Sequence, residues 1–311
     1  MAKIAAEVDR ALAERVRSGT RGRTEARVLA RGEGFRVEDV VCTSGPHDRP
    51  FEERHQDVGV AIVAAGSFEY RSAAGRQLMT PGSLLLSNAG QHFECSHDHG
   101  AGDRCLAFQL EPSYFDRLAA DAGARPGFSR SRLPPVRDLA PFVARALAGL
   151  DTQAALPWEE LGVHLVTRAV RLLAGLPAET RDVTPSALAR VTRIVRRIER
   201  HPDGALTVSG LAREAGLSPY HFLRTFEGVT GVTPHQYVLR TRLREAAIRL
   251  SQEQGRVLDI ALDCGFGDIS NFNHAFRREF GVSPRAYRAR PFLHPRSPSS
   301  AARSHGCSSR T

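Results

Sequence analysis

Residues 206–288 contain one supersecondary unit used twice, and any fold of this chain has to accommodate both copies. Phe222, Phe226, Gly231, Val232, Pro234 and Tyr237 recur fifty positions later as Phe272, Phe276, Gly281, Val282, Pro284 and Tyr287. Upstream of the turn the offset is forty-nine, pairing Ala212, Gly216 and Leu217 with Ala261, Gly265 and Phe266. A one-residue insertion in the turn accounts for the slip.

Each copy reads as helix, tight turn, helix. In the first, Val208, Leu211, Ala212 and Ala215 keep helical spacing, and Gly216 suits the left-handed residue that stops a helix. Ser218 sits where an N-cap belongs, with Pro219 as the first helical residue. Phe222, Leu223, Phe226 and Val229 then face inward, and Tyr220, His221 and Arg224 face out. In the second copy Val257, Ile260, Ala261 and Cys264 form the first apolar face, Gly265 ends it, and Asp268 caps the next helix. Phe272, Phe276 and Phe280 point inward there, while Ser270, Asn271, His274, Arg277 and Arg278 point out. Two short helices around a Gly-containing turn are the arrangement that lays a recognition helix in a DNA major groove.

The segment between the copies is equally well signed. Thr233-x-x-Gln236 is a capping box, Pro234 takes the first helical position, and Val232 can staple onto Tyr237. Tyr237, Leu243, Ala247 and Leu250 run down the helix that follows, of about seventeen residues or about 26 Å. Such a stiff spacer could hold two recognition helices about one DNA turn, roughly 34 Å, apart.

These residues resemble the AraC family of bacterial transcription regulators. The matching stretches are A-x-x-x-G-L-S-x-x-x-L-x-R-x-F in the first copy and G-F-x-D-x-S-x-F-x-x-x-F-R-R-x-F-G-V-S-P-x-x-Y-R in the second. The resemblance covers residues 186–290 and implies two helix-turn-helix units joined by a long helix. It also implies a sequence-specific DNA-binding transcription regulator, an activator, with double-stranded DNA and RNA polymerase as partners. By likeness, Tyr220 and Arg224 sit where that family reads base edges, and so do Ser270 and His274. His274 stands where some members carry arginine. The full expected DNA-contacting set is Ser218, Tyr220, His221, Arg224, Ser270, Asn271, His274, Arg277 and Arg278.

Charge divides the chain in the same place. Residues 184–311 hold 20 arginines against 10 acids, a net of +10, whereas residues 1–183 hold 23 basic and 24 acidic residues. A near-neutral half joined to a basic half is expected of a sensor fused to a DNA-binding module. With 311 residues, 41% of them hydrophobic, the chain can bury two cores. No apolar run is long enough to span a membrane, and residues 1–17 carry three acids, so neither a membrane segment nor a signal peptide is expected and the default location is cytoplasmic. There is no P-loop, nucleophile motif or Rossmann fingerprint, so no enzyme activity is assigned.

In chain order the expected organisation is an N-terminal helix and extension (1–30), a cupin-like effector-sensing barrel (31–120), a helical linker or dimerisation region (121–183), the DNA-binding domain (184–290) and a disordered tail (291–311). The fold class is therefore α+β, a cupin-like β-barrel with helices followed by an all-α domain. Ile4, Val8, Leu12 and Val16 give the first helix its spacing, with a partly exposed surface. From residue 27 to 110 the pattern is of strands, with buried or alternating runs beginning at Val58, Phe68, Leu84 and Cys105. Gly75, five residues, Pro81-Gly82, then Gly90-Gln91-His92 resembles the second half of the cupin barrel that many AraC-family sensors carry. Residues 125–135 read as a turn-rich loop. Leu161, Leu165, Val166, Leu172 and Leu173 form a stripe that packs on the barrel or joins two copies as a homodimer. Residues 176–185 read as the linker. Arg190, Arg193, Arg196, Arg197 and Arg200 lie on the outer face of the helix that follows it.

One cluster could carry chemistry of another kind. His92, Cys95, His97, His99 and Cys105 crowd together, with His47 and His55 upstream, and none of the five cysteines forms a C-x-x-C pair. On a strand, residues two apart share a face, so Cys95, His97 and His99 are the candidate metal ligands, of a type that favours zinc. The same residues also read as a polar turn beside an ordinary core cysteine, and no metal or cofactor is assigned. Two functions follow: a transcription regulator whose barrel binds a small-molecule effector, or a metal- or redox-responsive cupin-type sensor, or enzyme, using Cys95, His97 and His99.

Overall fold

The computed structural model describes residues 2–150, 156–174 and 183–289. The described chain opens with helix α1 (Ala2–Ser18), and ten strands follow among the described residues: β1 (Thr24–Gly32), β2 (Phe35–Cys42), β3 (Phe51–Arg54), β4 (Val58–Gly66), β5 (Phe68–Ser72), β6 (Gly75–Met79), β7 (Leu84–Ser87), β8 (His92–Ser96), β9 (Asp103–Leu110) and β10 (Arg132–Leu133). They form a six-stranded sheet, β1-β2-β9-β4-β7-β10, and a four-stranded sheet, β3-β8-β5-β6. Every pairing is antiparallel. The residue alternation of β9 shows how the sheets are used. Leu106, Phe108 and Leu110 face the helices, while Cys105 turns to the other side with Val63, Phe68, Tyr70, Met79 and Cys95. Strand β4, central in its sheet and covered on both faces, is buried almost throughout and so reads as a continuous apolar run.

Helices cover the larger sheet: α2 (Pro112–Asp121), α3 (Ala140–Leu150) and α4 (Trp158–Ala174), with a 3-10 turn at Arg137–Leu139. Leu161, Leu165 and Val166 of α4 are buried in the same core as Val60, Ile62 and Phe108, so the stripe is used within the chain. Helix α1 packs on β4 and β9, with Ile4 and Val8 buried and Val16 81% exposed. The supposed loop at 125–135 contains β10, whose two residues pair with β7. The linker reading at 176–185 lies largely, and the tail at 291–311 wholly, outside the described residues.

The C-terminal helices are α5 (Pro185–Arg200), α6 (Val208–Ala215), α7 (Pro219–Thr230), α8 (Pro234–Gln252), α9 (Val257–Asp263), α10 (Ile269–Phe280) and α11 (Pro284–Ala289). One core gathers Leu188, Val191, Ile194 and Ile198 of α5 around Phe222, Phe226 and Tyr237. A second gathers Leu243, Ala247 and Leu250 of α8 around Phe272, Phe276, Phe280 and Tyr287. Helix α8 thus begins in one core and ends in the other. Because it is packed from several sides, its buried residues are not confined to one stripe. It has 19 residues, so it is two longer than its spacing led us to expect. The capping box of Thr233 and Gln236 is formed. No helix among the described residues is long and apolar enough to cross a membrane.

Candidate nucleic-acid interface

The recognition surface is set by how α7 and α10 are started, buried and stopped. Ser218 accepts from the backbone N–H of His221, and Asp268 accepts from that of Asn271 at 2.7 Å, each satisfying an otherwise orphaned donor. Gly231 and Gly281 end the two helices at φ of 77° and 76°, a conformation in which a side chain would be strained. Phe226 packs edge-on against Tyr237 with centroids 5.7 Å apart, and Phe276 repeats the contact with Tyr287 at 5.4 Å. The two inner faces are therefore built alike.

The outer faces match too. Residues 221–230 and 271–280 run through the same sequence of exposed and buried positions, ten for ten. Ser218, Tyr220, His221, Arg224, Ser270, Asn271, His274, Arg277 and Arg278 are all exposed. Arg224 Nη1 donates to Tyr220 Oη at 3.2 Å, and its guanidinium lies 5.8 Å from the Tyr220 ring centroid, so the arginine is pre-positioned along the helix. Leu223 departs from the expected inward set. It is 38% exposed because α7 buries only the narrow stripe of Phe222, Phe226, Val229 and Thr230.

Charged side chains fix these helices to their surroundings. Arg242 on α8 donates to the carbonyls of Pro202 at 2.6 Å, Gly204 at 3.0 Å and Gly265 at 2.8 Å, joining the loop after α5 to the second turn. Arg190 donates to Ala215 and Gly216, bracing the first turn. Glu279, buried on the inner side of α10, pairs with Arg240 at 3.3 Å and with Arg137 at 3.8 Å. Burial raises the Glu279 carboxyl above its ordinary value, and the two arginines act against that rise. Arg190 and Arg196, expected on a solvated face, both have partners: Arg196 donates to the His99 carbonyl of the barrel at 3.3 Å.

That last contact belongs to a seam between the barrel and the C-terminal helices. Leu78 of β6 is buried in the first helical core, and Ala144 of α3 in the second. Glu199 of α5 accepts from Tyr237, Thr241 and Arg244 of α8, all within 3.0 Å. Arg244 also donates to the Pro81 carbonyl at 3.3 Å. Gly82 makes room for it: its φ is 85°, and a Cβ there would lie 2.4 Å from Arg244 Nη1. Along the seam lies a cavity of about 410 Å³. Val8, Pro81 and Val195 give it apolar walls, and Arg196, Arg200 and Arg249 line it with charge.

The histidine and cysteine candidates are distributed differently from their sequence spacing. Cys95 is buried among Phe68, Tyr70 and Met79, and His99 Nε2 lies 3.6 Å from Glu69 Oε1. Of the three, His97 alone joins a group of close potential ligands among the described residues, and its companions are Cys42 and Asp103. Burial pulls the His97 imidazole down, but Asp103 and Cys42 more than offset this and push it up to about 10. Cys42 and Asp103 were missed because nothing in the spacing of residues 42, 97 and 103 marks them as neighbours; the β2–β9 register does.

Two family models match the chain: a helix-turn-helix domain over residues 211–290 and an AraC-like ligand binding domain over residues 41–166. The chain belongs to the AraC family. Its sequence is similar to the probable transcriptional regulator LumQ of Photobacterium leiognathi, 40% identical over 90 residues that cover 29% of this chain and 36% of LumQ. It is also similar to the transcriptional activator RhaS of Salmonella dublin, 33% identical over 162 residues covering 51% of this chain and 55% of RhaS. The chain thus spans about half or less of the curated relatives it matches. The solved DNA-binding domain of AdpA, in complex with a target DNA, is 32% identical, with 32% of this chain and 90% of that domain covered and a TM-score of 0.32. Within the AraC family the alternative of a cupin-type sensor or enzyme built on Cys95, His97 and His99 is not favoured.

Proposed function

We propose that this chain is a sequence-specific transcription regulator that lays α7 and α10 in two successive major-groove segments of double-stranded DNA and answers to a small molecule bound by its N-terminal half. The observation that carries the reading is the repeated outer face: two capped helices with the same exposure pattern, presenting Tyr220 and Arg224 in one copy and Ser270 and His274 in the other. Arg277 and Arg278 add positive charge beside the second set, suited to backbone phosphates. The identities to LumQ and RhaS, whose names describe transcription regulators, favour the same function, and the word activator in the name of RhaS favours activation. RNA polymerase as a partner and the cytoplasm as the location are part of the proposal.

Helix α8 supplies the geometry. Its 19 residues span about 28 Å at the usual rise, close to the roughly 34 Å of one DNA turn. The seam supplies the control. A ligand of effector size in the 410 Å³ cavity would bind against α1 and the barrel rim of the N-terminal half while also touching α5 and α8, and so bias how the DNA-binding half is held. The organisation into an effector-sensing barrel within 31–120, a helical region within 121–183 and a DNA-binding domain within 184–290 is part of the proposal, as is assembly into a homodimer.

The test is selection of bound sequences from random DNA by the full chain, with and without a small-molecule library. Enrichment of a site with two conserved segments about one turn apart supports the reading. Sequence-independent binding that follows salt alone contradicts it.

A further inference from the structure

The barrel holds a group of ligating side chains that DNA recognition leaves unused. Cys42 closes β2 and Asp103 opens β9, and the two are direct partners in the β2–β9 ladder. His97 follows β8 and lies with its Nε2 2.7 Å from Asp103 Oδ1. One ligating atom from each falls within 4.8 Å of the others, and all three residues are buried. The geometry points to a binding site for one divalent cation of zinc-like character, held by the Cys42 thiolate, the His97 imidazole and the Asp103 carboxylate. The site stands independently of the DNA-binding function and differs from the Cys95, His97, His99 set in two of its three ligands.

Charge and donor type select the ion. A thiolate and a carboxylate supply two negative charges, which a divalent cation neutralises, so the loaded site is neutral in a place where net charge is costly. Sulfur and imidazole together favour zinc over the hard cations magnesium and calcium. The ligand forms are a thiolate, a neutral imidazole and a carboxylate, so binding is coupled to the loss of whatever ligand protons the empty site carries and weakens at low pH. Tetrahedral coordination at about 2.0–2.3 Å separates neighbouring ligand atoms by about 3.3–3.8 Å. The His97–Asp103 pair must therefore open by roughly half an ångström, which two side chains can do without disturbing the ladder. The fourth position is left to water. Cys105 Sγ lies 3.4 Å from Asp103 Oδ2, where it steadies the carboxylate from outside the ligand set.

The position in the fold adds a consequence. His97 and Asp103 bracket the loop whose His99 carbonyl accepts from Arg196 of α5. An ion there would brace the barrel side of the seam.

The experiment uses the full-length protein, reduced, stripped with chelator and titrated with cobalt(II) alone. One equivalent should produce visible ligand-field bands of a tetrahedral site and a near-ultraviolet thiolate-to-cobalt charge-transfer band, both abolished by one equivalent of zinc. Cys42→Ser should remove the charge-transfer band, whereas Cys95→Ser should keep it. Asp103→Asn, which preserves shape and leaves the thiolate, should keep the band but weaken cobalt binding at least about tenfold. Circular dichroism reports the fold of each variant, and the Asp103→Asn arm serves if Cys42→Ser does not fold. The proposal is overturned if folded wild type takes up no stoichiometric cobalt or zinc, or if the band survives Cys42→Ser and depends on Cys95.

Discussion

The Tyr237 hydroxyl donates to Glu199 Oε1 across 2.9 Å, tying the first turn of α8 to the last turn of α5. Arg244 completes the arrangement, with both carboxylate oxygens of Glu199 at 3.0 Å and the barrel carbonyl of Pro81 at 3.3 Å. One carboxylate thus holds the spacer between the recognition helices, and the spacer holds the barrel. Arg244→Met should keep the apolar stem while removing both attachments. Glu199 retains Tyr237 and Thr241 as donors, so the expected loss is roughly 1–3 kcal/mol rather than that of a stranded buried charge. Urea unfolding of wild type and variant measures it. An unchanged midpoint would mean that the seam does not hold the two halves together.

Gly82→Ala probes the same contact from the barrel side. The new methyl meets Arg244 and sits at a positive φ, so the variant should lose about 1 kcal/mol or more. Combined with Arg244→Met, the second loss should shrink, because the obstacle is gone. Full additivity in this double-mutant cycle would separate Gly82 from the clamp.

His55 gives the barrel an acid-sensitive point. It is held by Tyr70 Oη at 2.9 Å and stacked on Phe93 with centroids 4.0 Å apart, and burial lowers its pKa to about 4. The unfolded chain, near 6.5, therefore binds the proton first as pH falls. The contribution of neutral His55 is present above pH 6.5 and lost as pH falls toward 4, by up to about 3 kcal/mol. His55→Gln should flatten the stability profile between those two values relative to wild type. Parallel profiles across that window would contradict the assignment.

The two helix-turn-helix units should respond alike to matched changes. Phe226 and Phe276 are each fully buried and each packs edge-on against a tyrosine. Phe226→Leu and Phe276→Leu should each cost about 1–2 kcal/mol, with the two values within about 0.5 kcal/mol of each other. Chemical denaturation checks this. A large difference would show that the copies are packed unequally despite their common pattern.

What was legible in the sequence is what local chemistry specifies. Ser218, Pro219, Asp268 and the Thr233–Gln236 box are short-range signals, and each helix starts where they stand. The phenylalanines at helical spacing named the inner faces, and Leu223 was misassigned because a stripe too wide by one position looks the same in sequence. The barrel was legible as a class, since β4, β5, β7 and β9 have buried or alternating runs. Its pairings were not: Cys42 meets Asp103, and β3 meets β8, across long stretches of chain that carry no register signal. The seam was hidden for the same reason. Leu78, Pro81 and Arg244 look ordinary until the barrel and α8 are brought together.

The measurement that bears most directly on the whole account is a binding series over every single-base variant of the selected DNA site, for wild type, Arg224→Ala, His274→Ala and Arg278→Ala. Arg224 can pair bidentately with a guanine, so its loss should cost about 1–3 kcal/mol and relax preference at one or two base pairs of one segment. His274 offers a single donor or acceptor, so its loss should cost less and blur a different segment, about one helical turn away. Arg278→Ala should weaken all sequences alike and reduce the salt slope by about one. If Arg224→Ala lowers affinity uniformly, with no base-specific change, Arg224 touches only phosphate and the proposed division of reading between α7 and α10 is wrong.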